Sequence, residues 1–261
     1  MIKFFRHIRQ RMIKENRVSK YLLYALGEII LVVIGILIAV QINDWNETRK
    51  ANHTSKAYLQ KMIIELENTK SRMKYLTSDP LGMVQGKYHS LEGSIAICDS
   101  LLKMSYSGLT GNAIPLILQT NFGQASLNIQ QDAFEEVKST GSLNSLGSEK
   151  LINTIKAYYA RIARESDYTD ENNLLIGRGR HILEDGLGRM QMDYHMDSTV
   201  FDIDNYPWLK DPSSEEYKDL QKGLYIANRW QEENRGKMMI IYNLSDSLIQ
   251  MIKDELSSRT R

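Results

Sequence analysis

The chain has very little cysteine and proline, and each shortage excludes a class of structure. Cys98 is the single cysteine among 261 residues, so neither an intramolecular disulfide nor a cysteine-based zinc site can form. We expect Cys98 to be a small buried apolar residue. Only four prolines are present, which favours long helices over many short strands.

Recognisable catalytic and nucleotide-binding motifs are also missing. The chain contains no G-x-S-x-G and no H-E-x-x-H, and the G-R-G-R run at residues 177–180 lacks the Lys-Ser or Lys-Thr of a phosphate loop. We therefore predict that the protein is not an enzyme and uses no cofactor. Charged residues make up 25% and hydrophobic residues 42% of the chain, which is typical of a globular rather than a disordered protein.

Positive charge is concentrated at the N-terminus. Residues 1–20 carry seven Lys and Arg against Glu15, while the whole chain has a net charge of +1, so the remainder is mildly acidic. An acidic body argues against nucleic acid as a partner. The apolar residues of this basic leader follow roughly helical spacing, which suits either a segment lying on an anionic membrane surface or a flank that only sets topology.

The longest apolar run covers residues 21–42 and contains one formal charge, Glu28. As a helix at about 1.5 Å per residue it would extend about 33 Å, enough to cross a bilayer core of about 30 Å. We interpret it as a single transmembrane helix. The alternative is a cleaved signal peptide, but the run is long and no A-x-A-like cleavage site follows it.

Lysine and arginine are more frequent before this run than after it. Seven precede it, and four follow within residues 43–62. The positive-inside rule therefore predicts a cytoplasmic leader (1–20), a transmembrane helix (21–42) and an extracytoplasmic domain (43–261). Trp45 suits the outer membrane–water interface, where an indole keeps its N–H hydrated.

Three residues of the span are candidates for contacts with a membrane partner. Glu28 lies near the basic end, where a carboxylate reaches the headgroups at low cost, so it either contacts another membrane protein or is simply interfacial. Gly35 and Ala39 form a small-xxx-small pair, which lets helices approach closely and allows a homo-oligomer. The same pair is common by chance in transmembrane helices.

Four stretches of the sequence resemble a known family. They are M-I-K-F-F-R-H-I-R-Q at residues 1–10, S-K-Y-L-L-Y-A-L-G-E-I-I-L-V-V-I-G-I-L-I-A-V-Q-I-N-D-W-N-E at 19–47, A-F-E-E-V-K-S-T-G-S-L-N-S-L at 133–146 and A-Y-Y-A at 157–160. They are similar to an uncharacterised domain-of-unknown-function family of single-span membrane proteins from Gram-negative bacteria. The resemblance implies a shared architecture and an inner-membrane location, and with the orientation predicted above the C-terminal domain would be periplasmic. No activity comes with it.

Beyond the span, apolar residues recur at helical spacing and predict an all-α antiparallel bundle with irregular loops. Helices are expected over residues 46–77, 81–104, 131–138, from 148 to about 166 or 175, and from about 212 to 257. Gly141 is expected in a left-handed conformation after the third of these, and Ser148 as the N-cap of the next.

The irregular stretches hold the remaining candidate sites. We expect a ligand first at residues 105–130, because long loops in compact domains often bind. His181, Glu184 and His195 form the one cluster with metal-ligand chemistry. Its spacing matches no zinc or di-iron signature, so we predict no metal site.

Three functions are consistent with these features. The favoured one is a non-enzymatic, membrane-anchored binding, sensing or interaction module with a membrane or periplasmic protein partner. The alternatives are a structural subunit of an inner-membrane complex and an anchored metal-dependent hydrolase. The sequence names no ligand, no reaction and no oligomeric state.

Overall fold

The computed structural model describes residues 18–78, 90–109, 111–120, 122 and 124–259. Within these ranges the protein is all-α, as predicted, with no strand. Its helices are α1 (Val18–Ser78), α2 (Leu91–Ser107), α3 (Ala113–Gln119), α4 (Asp132–Ser139), α5 (Glu149–Ile182), α6 (Arg189–Met196) and α7 (Glu215–Ser258). The predictions for the leader up to residue 17 and for a helix start at Leu81 lie outside the described residues.

Helix α1 contains the predicted span and continues past Asn46 without a break. From Ala25 onward it is long and apolar enough to cross a membrane, judged by length and composition. Between Ile29 and Ile42 its large apolar side chains are 47–74% exposed. A helix that is apolar on all sides is typical of a transmembrane segment, and an N-terminal signal sequence satisfies the same criteria.

Contacts divide the chain into two compact units, Met1–Lys56 and Ala57–Arg261. The second unit holds two hydrophobic clusters. One joins the end of α1 with α4, α5 and α7, and the other joins α2, α3, α6 and the first half of α7. Fully buried members include Leu59, Leu66, Ile155 and Ile241 in the first cluster and Leu101, Ile117, Leu220 and Leu224 in the second.

Helix α7 lies antiparallel to both α5 and α2. At its C-terminal half, Ser245 Oγ is 2.7 Å from Tyr158 Oη of α5, and both groups are buried. At its first turn, Tyr217 Oη donates to the Ser105 carbonyl near the end of α2, at 2.7 Å. Because buried hydroxyls need partners, these bonds fix which turns of the helices meet.

Two glycines allow α5 and α7 to approach closely at one end of this unit. A Cβ at Gly223 would lie 2.5 Å from Leu183 Cγ, and a Cβ at Gly179 would lie 2.9 Å from Ile226 Cγ2. Leu183 is only 3% exposed, so its side chain has little room to move away. Because glycine has no side chain, these two positions set the distance between α5 and α7 here.

The helix boundaries confirm some local signals. Ser148 caps α5 by accepting the Leu151 N–H, and Ser214 caps α7 by accepting the Tyr217 N–H. Gly141 has a φ of 68°, the expected left-handed conformation.

Other local predictions were wrong. Helix α5 extends to Ile182, beyond the expected end, and residues 176–211 contain more helix than expected. After α5 come a π-helical turn at Glu184–Gly188, helix α6, and 3₁₀ turns at Ile203–Asn205 and Pro207–Lys210. The apolar spacing of Ile241, Leu244 and Leu248 predicts a buried stripe on α7, but Leu244 is 38% exposed and Ser245 is buried instead.

Candidate functional site

A buried polar layer crosses the helical body. Asn172 Nδ2 donates to Asn234 Oδ1 at 2.8 Å, and Asn234 Nδ2 donates to Asn173 Oδ1 at 3.1 Å. Asn173 Nδ2 in turn donates to the Ala125 carbonyl at 3.1 Å. Along α7 this layer lies between the residues of the two hydrophobic clusters. Since sliding α5 along α7 would leave buried amides unpaired, the layer fixes their register.

Glu65 is a second buried polar group, and it lies on the second half of α1. Its Oε1 accepts the Ala133 N–H at 2.6 Å, in the first turn of α4, where the N-cap residue Gln131 makes no side-chain bond. Glu65 Oε2 has no hydrogen-bond partner in the described part of the chain. Burial raises the pKa of this carboxyl, and the backbone amides of α4 partly oppose that rise.

A smaller and a larger cleft open on the described part of the helical body. The smaller one lies between α5 and α7 and has a volume of about 320 Å³. Glu165 is at its base, with a side chain only 4% exposed. Arg161 Nε lies 2.6 Å from Glu165 Oε1, and Lys237 Nζ donates to Oε2 at 3.1 Å. The lining contains as many carboxylates (Glu165, Glu232, Glu233) as cations (Arg161, Arg229, Lys237).

The larger cleft has a volume of about 620 Å³ and is formed by α6, the turns on either side of it and the start of α7. The π-helical turn before α6 adds a residue to the helical repeat and so changes the direction in which the following side chains point. The charged side chains that line the cleft are five carboxylates and one cation: Asp185, Asp193, Asp197, Asp202, Glu216 and Arg189.

Two of these carboxylates are held ionised by local bonds. Asp193 accepts Tyr206 Oη–H at 2.7 Å and Arg189 Nε–H at 3.0 Å, and these bonds lower its pKa. Asp197 accepts the Thr199 hydroxyl at 2.6 Å and its backbone N–H at 2.9 Å, which lowers the pKa of Asp197 as well. The cleft is therefore anionic at neutral pH.

Exposed apolar side chains border the same cleft. Met192 and Met196 are one turn apart on α6 and are 46% and 80% exposed, and Val200 is 74% exposed. Trp208 also lines the cleft but is only 9% exposed, and it belongs to the second hydrophobic cluster. The lining of the cleft thus combines a buried aromatic side chain with an edge of exposed apolar side chains, two of which are unbranched methionines.

Of the three weak metal-ligand candidates, two form a pair on the surface. His181 Nδ1 and Glu184 Oε2 are 3.1 Å apart, but their side chains are 79% and 60% exposed. His195 instead lies against the ring of Tyr194, with 5.8 Å between ring centres. In the ranges that the structure describes, no group of three or more His, Cys, Asp or Glu side chains is placed to hold a metal ion.

The described part of residues 105–130, where we expected a ligand, packs against the body. Gln191 Nε2 donates to the carbonyls of Ile117 and Thr120, at 2.9 and 3.1 Å. Neither of the two clefts is lined by this stretch. In the sequence, the region of the larger cleft can be recognised by an excess of acidic residues. Residues 184–219 contain ten carboxylates against three Lys and Arg.

The three membrane-partner candidates lie on the exposed part of α1. A Cβ at Gly35 would meet nothing within 4 Å. Ala39 is exposed, and Glu28 is half-buried. Cys98, by contrast, is fully buried as predicted, and burial raises the pKa of its thiol to about 12. Such a thiol is unreactive at neutral pH.

Comparison with known proteins shows a family model that matches part of the chain. The model of a family of unknown function, DUF6090, matches residues 28–79. No curated protein and no solved structure matches the chain. The match covers much of the span and the rest of α1, while residues 133–146 and 157–160 lie outside it. Over residues 28–79 the chain is therefore similar to an uncharacterised family, as the sequence indicated.

Proposed function

We propose that this is a single-pass inner-membrane protein whose helical body binds a protein partner without catalysing a reaction. The observation that carries the proposal is the exposed apolar surface of α1 between Ile29 and Ile42, where no large apolar side chain is less than 47% exposed. Apolar surface in water costs about 25 cal/mol per Å². Lipid tails would cover a segment of this length.

Charge distribution supports a cytoplasmic N-terminus and a periplasmic body. The leader before the span is more basic than the segment after it, as the positive-inside rule requires. Just after the apolar run, Trp45 is 65% exposed and the Arg49 guanidinium lies 5.8 Å from its ring centre. Such a pair suits the headgroup region, where tryptophan and arginine are both stable.

The larger cleft supports binding as the role of the body. It combines exposed apolar side chains with ionised carboxylates, and exposed apolar groups with a polar rim are typical of interaction surfaces. The residues lining it include no histidine, serine or cysteine. The lowered pKa values of Asp193 and Asp197 make both carboxylates weak bases at neutral pH, which favours recognition of a partner over acid–base catalysis.

Alkaline carbonate washing of membranes tests the anchor. We expect the full-length chain to remain in the pellet, and a variant with Ile34→Lys and Leu37→Lys to be depleted from it, because two charges in the hydrocarbon core are costly. The matched control carries Ile64→Lys and Tyr75→Lys at exposed positions near the end of α1 and should stay in the pellet. Release of the unmodified chain, or a mature N-terminus beyond residue 42, would contradict the proposal.

Protease treatment of spheroplasts tests the orientation. If the body is periplasmic, a protease that reaches only the outer face of the inner membrane should degrade it. Protection of the body until detergent is added would show the opposite orientation.

A second candidate function is a structural subunit of a membrane complex, including a homo-oligomer. The uncovered Gly35 and Ala39 positions favour it, because small residues permit close helix packing. Gly35→Ile should reduce crosslinking through the span, and Gly27→Ile is the matched control, since a Cβ there also meets nothing within 4 Å. Unchanged crosslinking in the Gly35 variant would remove this candidate.

A further inference from the structure

We infer that the larger cleft, formed by α6, its flanking turns and the start of α7, docks a basic amphipathic segment of a partner protein. The inference rests on the proposed function, because it names the chemistry of the partner that the body would bind. Two independent features of the cleft carry it: an excess of unpaired negative charge, and an apolar edge made largely of methionine.

The negative charge of the cleft lining exceeds the positive charge that the described residues bring to it; Lys210 acts on Asp202 from outside the lining but is ion-paired with Asp204 at 2.9 Å. Arg189 is the one cation of the lining, and it is already bonded to Asp193 at 3.0 Å. Among the described residues no Lys, Arg or His lies within ion-pair distance of Asp185, Asp202 or Glu216. Carboxylates gathered in a concave surface make the local electrostatic potential more negative and so attract cations. A partner with several positive charges is complementary to this lining.

The distribution of the carboxylates distinguishes a polycation from a metal ion. A divalent ion needs several oxygen ligands at 2.0–2.6 Å from one point. No three acidic or histidine side chains of the described chain converge in that way. The negative charge is instead spread over separate segments, from Asp185 in the π-helical turn to Glu216 in the first turn of α7. Separated charges match lysines or arginines that are spaced along a peptide.

The apolar edge distinguishes an amphipathic segment from a simple polycation. Met192, Met196 and Val200 border the cleft and are exposed. The unbranched methionine side chain adapts to irregular apolar partners, which is why binding surfaces for amphipathic helices use it. With carboxylates and methionines on one surface, the complementary partner carries its own basic and apolar faces.

The volume also limits the occupant. About 620 Å³ holds a few side chains, not a folded domain. A single helix or extended segment that inserts two or three apolar side chains, with basic residues on its flanks, fits this space.

Fluorescence anisotropy with a labelled 18-residue Lys/Leu amphipathic peptide tests the inference. The full chain is placed in phosphatidylcholine nanodiscs, and binding to empty nanodiscs is subtracted. The test variant carries Asp185→Asn, Asp202→Asn and Glu216→Gln. The control variant makes the same change in charge elsewhere, with Asp167→Asn, Glu171→Gln and Asp254→Asn on exposed faces of α5 and α7.

We expect the test variant to bind the peptide about tenfold more weakly, because three complementary surface charges are lost. The control variant should stay within about twofold of the unmodified chain, since its changes lie outside the cleft. Met192→Ser with Met196→Ser should weaken binding further without changing its salt dependence. Circular dichroism of every variant verifies that the fold is retained.

Three results would overturn the inference: equal weakening in test and control variants, equal binding of a Glu/Leu peptide, or full competition by a tetraalkylammonium ion. The last would assign the cleft to a small organic cation. Failure here remains distinguishable from failure of the proposed function. If the chain stays in the membrane after carbonate washing and crosslinks a partner through other surfaces, only the assignment of the cleft is wrong. If carbonate releases the chain, the proposed membrane anchor is wrong, and the peptide-binding result is unaffected.

Discussion

The smaller and the larger cleft of the helical body differ in how far their charged side chains are ion-paired. In the smaller cleft, Glu165 is buried and ion-paired with Arg161 and Lys237, so these three charges have partners within the molecule. In the larger cleft, Arg189 is the only cation among five carboxylates. Charges that a fold needs for itself are paired and buried, whereas unpaired charges remain at a surface where solvent or a partner can reach them. The difference separates a structural cleft from the cleft that we propose as a binding site.

Removing the buried carboxylate of the smaller cleft should produce the largest effect. Glu165→Ala leaves Arg161 and Lys237 facing each other without their common partner, so the free energy of unfolding should fall by about 2–4 kcal/mol. Glu171→Ala on the exposed side of α5 is the matched control and should change it by less than about 0.5 kcal/mol. Denaturant unfolding measures both. Equal losses would mean that Glu165 is no more structural than a surface residue.

Two glycines of α7 should respond in opposite ways to replacement by alanine. Gly223→Ala places a Cβ within 2.5–2.7 Å of three Leu183 side-chain atoms, so it should lower stability by about 1–3 kcal/mol. Gly236→Ala, which lines the smaller cleft and meets nothing within 4 Å, should raise stability by about 0.5–1 kcal/mol, because alanine favours the helix.

A double-mutant cycle checks the cause of the Gly223 effect. Leu183→Ala alone opens a cavity, but in the Gly223→Ala background it also relieves the overlap. The two losses should therefore be less than additive. Additive losses would show that the helices move apart instead of colliding at Leu183.

These contacts also show why the sequence predicts some elements and not others. The ends at Ser148 and Ser214 follow from capping chemistry that involves only neighbouring residues, so they are readable locally. The extension of α5 to Ile182 is not, because its buried positions there include Thr169, Asn172 and Asn173. A stripe of polar residues whose partners lie on another helix does not resemble an apolar stripe, and periodicity is lost where the polar layer begins.

The candidate site could not be predicted from the sequence for a related reason. Its carboxylates belong to a π-helical turn, α6, a loop and the start of α7, and only the fold brings these segments to one cleft. In the sequence, His181 and Glu184 carry metal-ligand chemistry, although their spacing with His195 matches no zinc or di-iron signature. In the folded chain they are an exposed pair. Local charge excess identifies the region, but which charges remain unpaired depends on tertiary contacts.

Glu65 lies between the two extremes, because it is buried but has no cation within ion-pair distance among the described residues. Its pKa is raised above the ordinary value of 4.5, first of all by desolvation. The resulting stabilisation is fully present below pH 4.5 and is lost as the pH rises through the higher pKa of the folded state. Stability should therefore decrease from pH 4.5 towards neutral pH more steeply in the unmodified chain than in Glu65→Gln.

Unfolding midpoints across this pH range measure the effect. Glu67→Gln, an exposed change two residues away on α1, is the control and should preserve the slope of the unmodified chain. Identical slopes in all three proteins would mean that Glu65 is protonated, or equally solvated, in both the folded and the unfolded state.

Neutralising the larger cleft should have the smallest effect on the fold. Asp185→Asn, Asp202→Asn and Glu216→Gln remove charges that have no ion-pair partner in the described chain and that repel one another, so the melting temperature should stay within about 2 °C or rise slightly. Thermal unfolding followed by circular dichroism measures it, with Glu165→Ala as the destabilised reference. A loss comparable to that reference would place these carboxylates among the structural charges, and the contrast between the two clefts would then disappear.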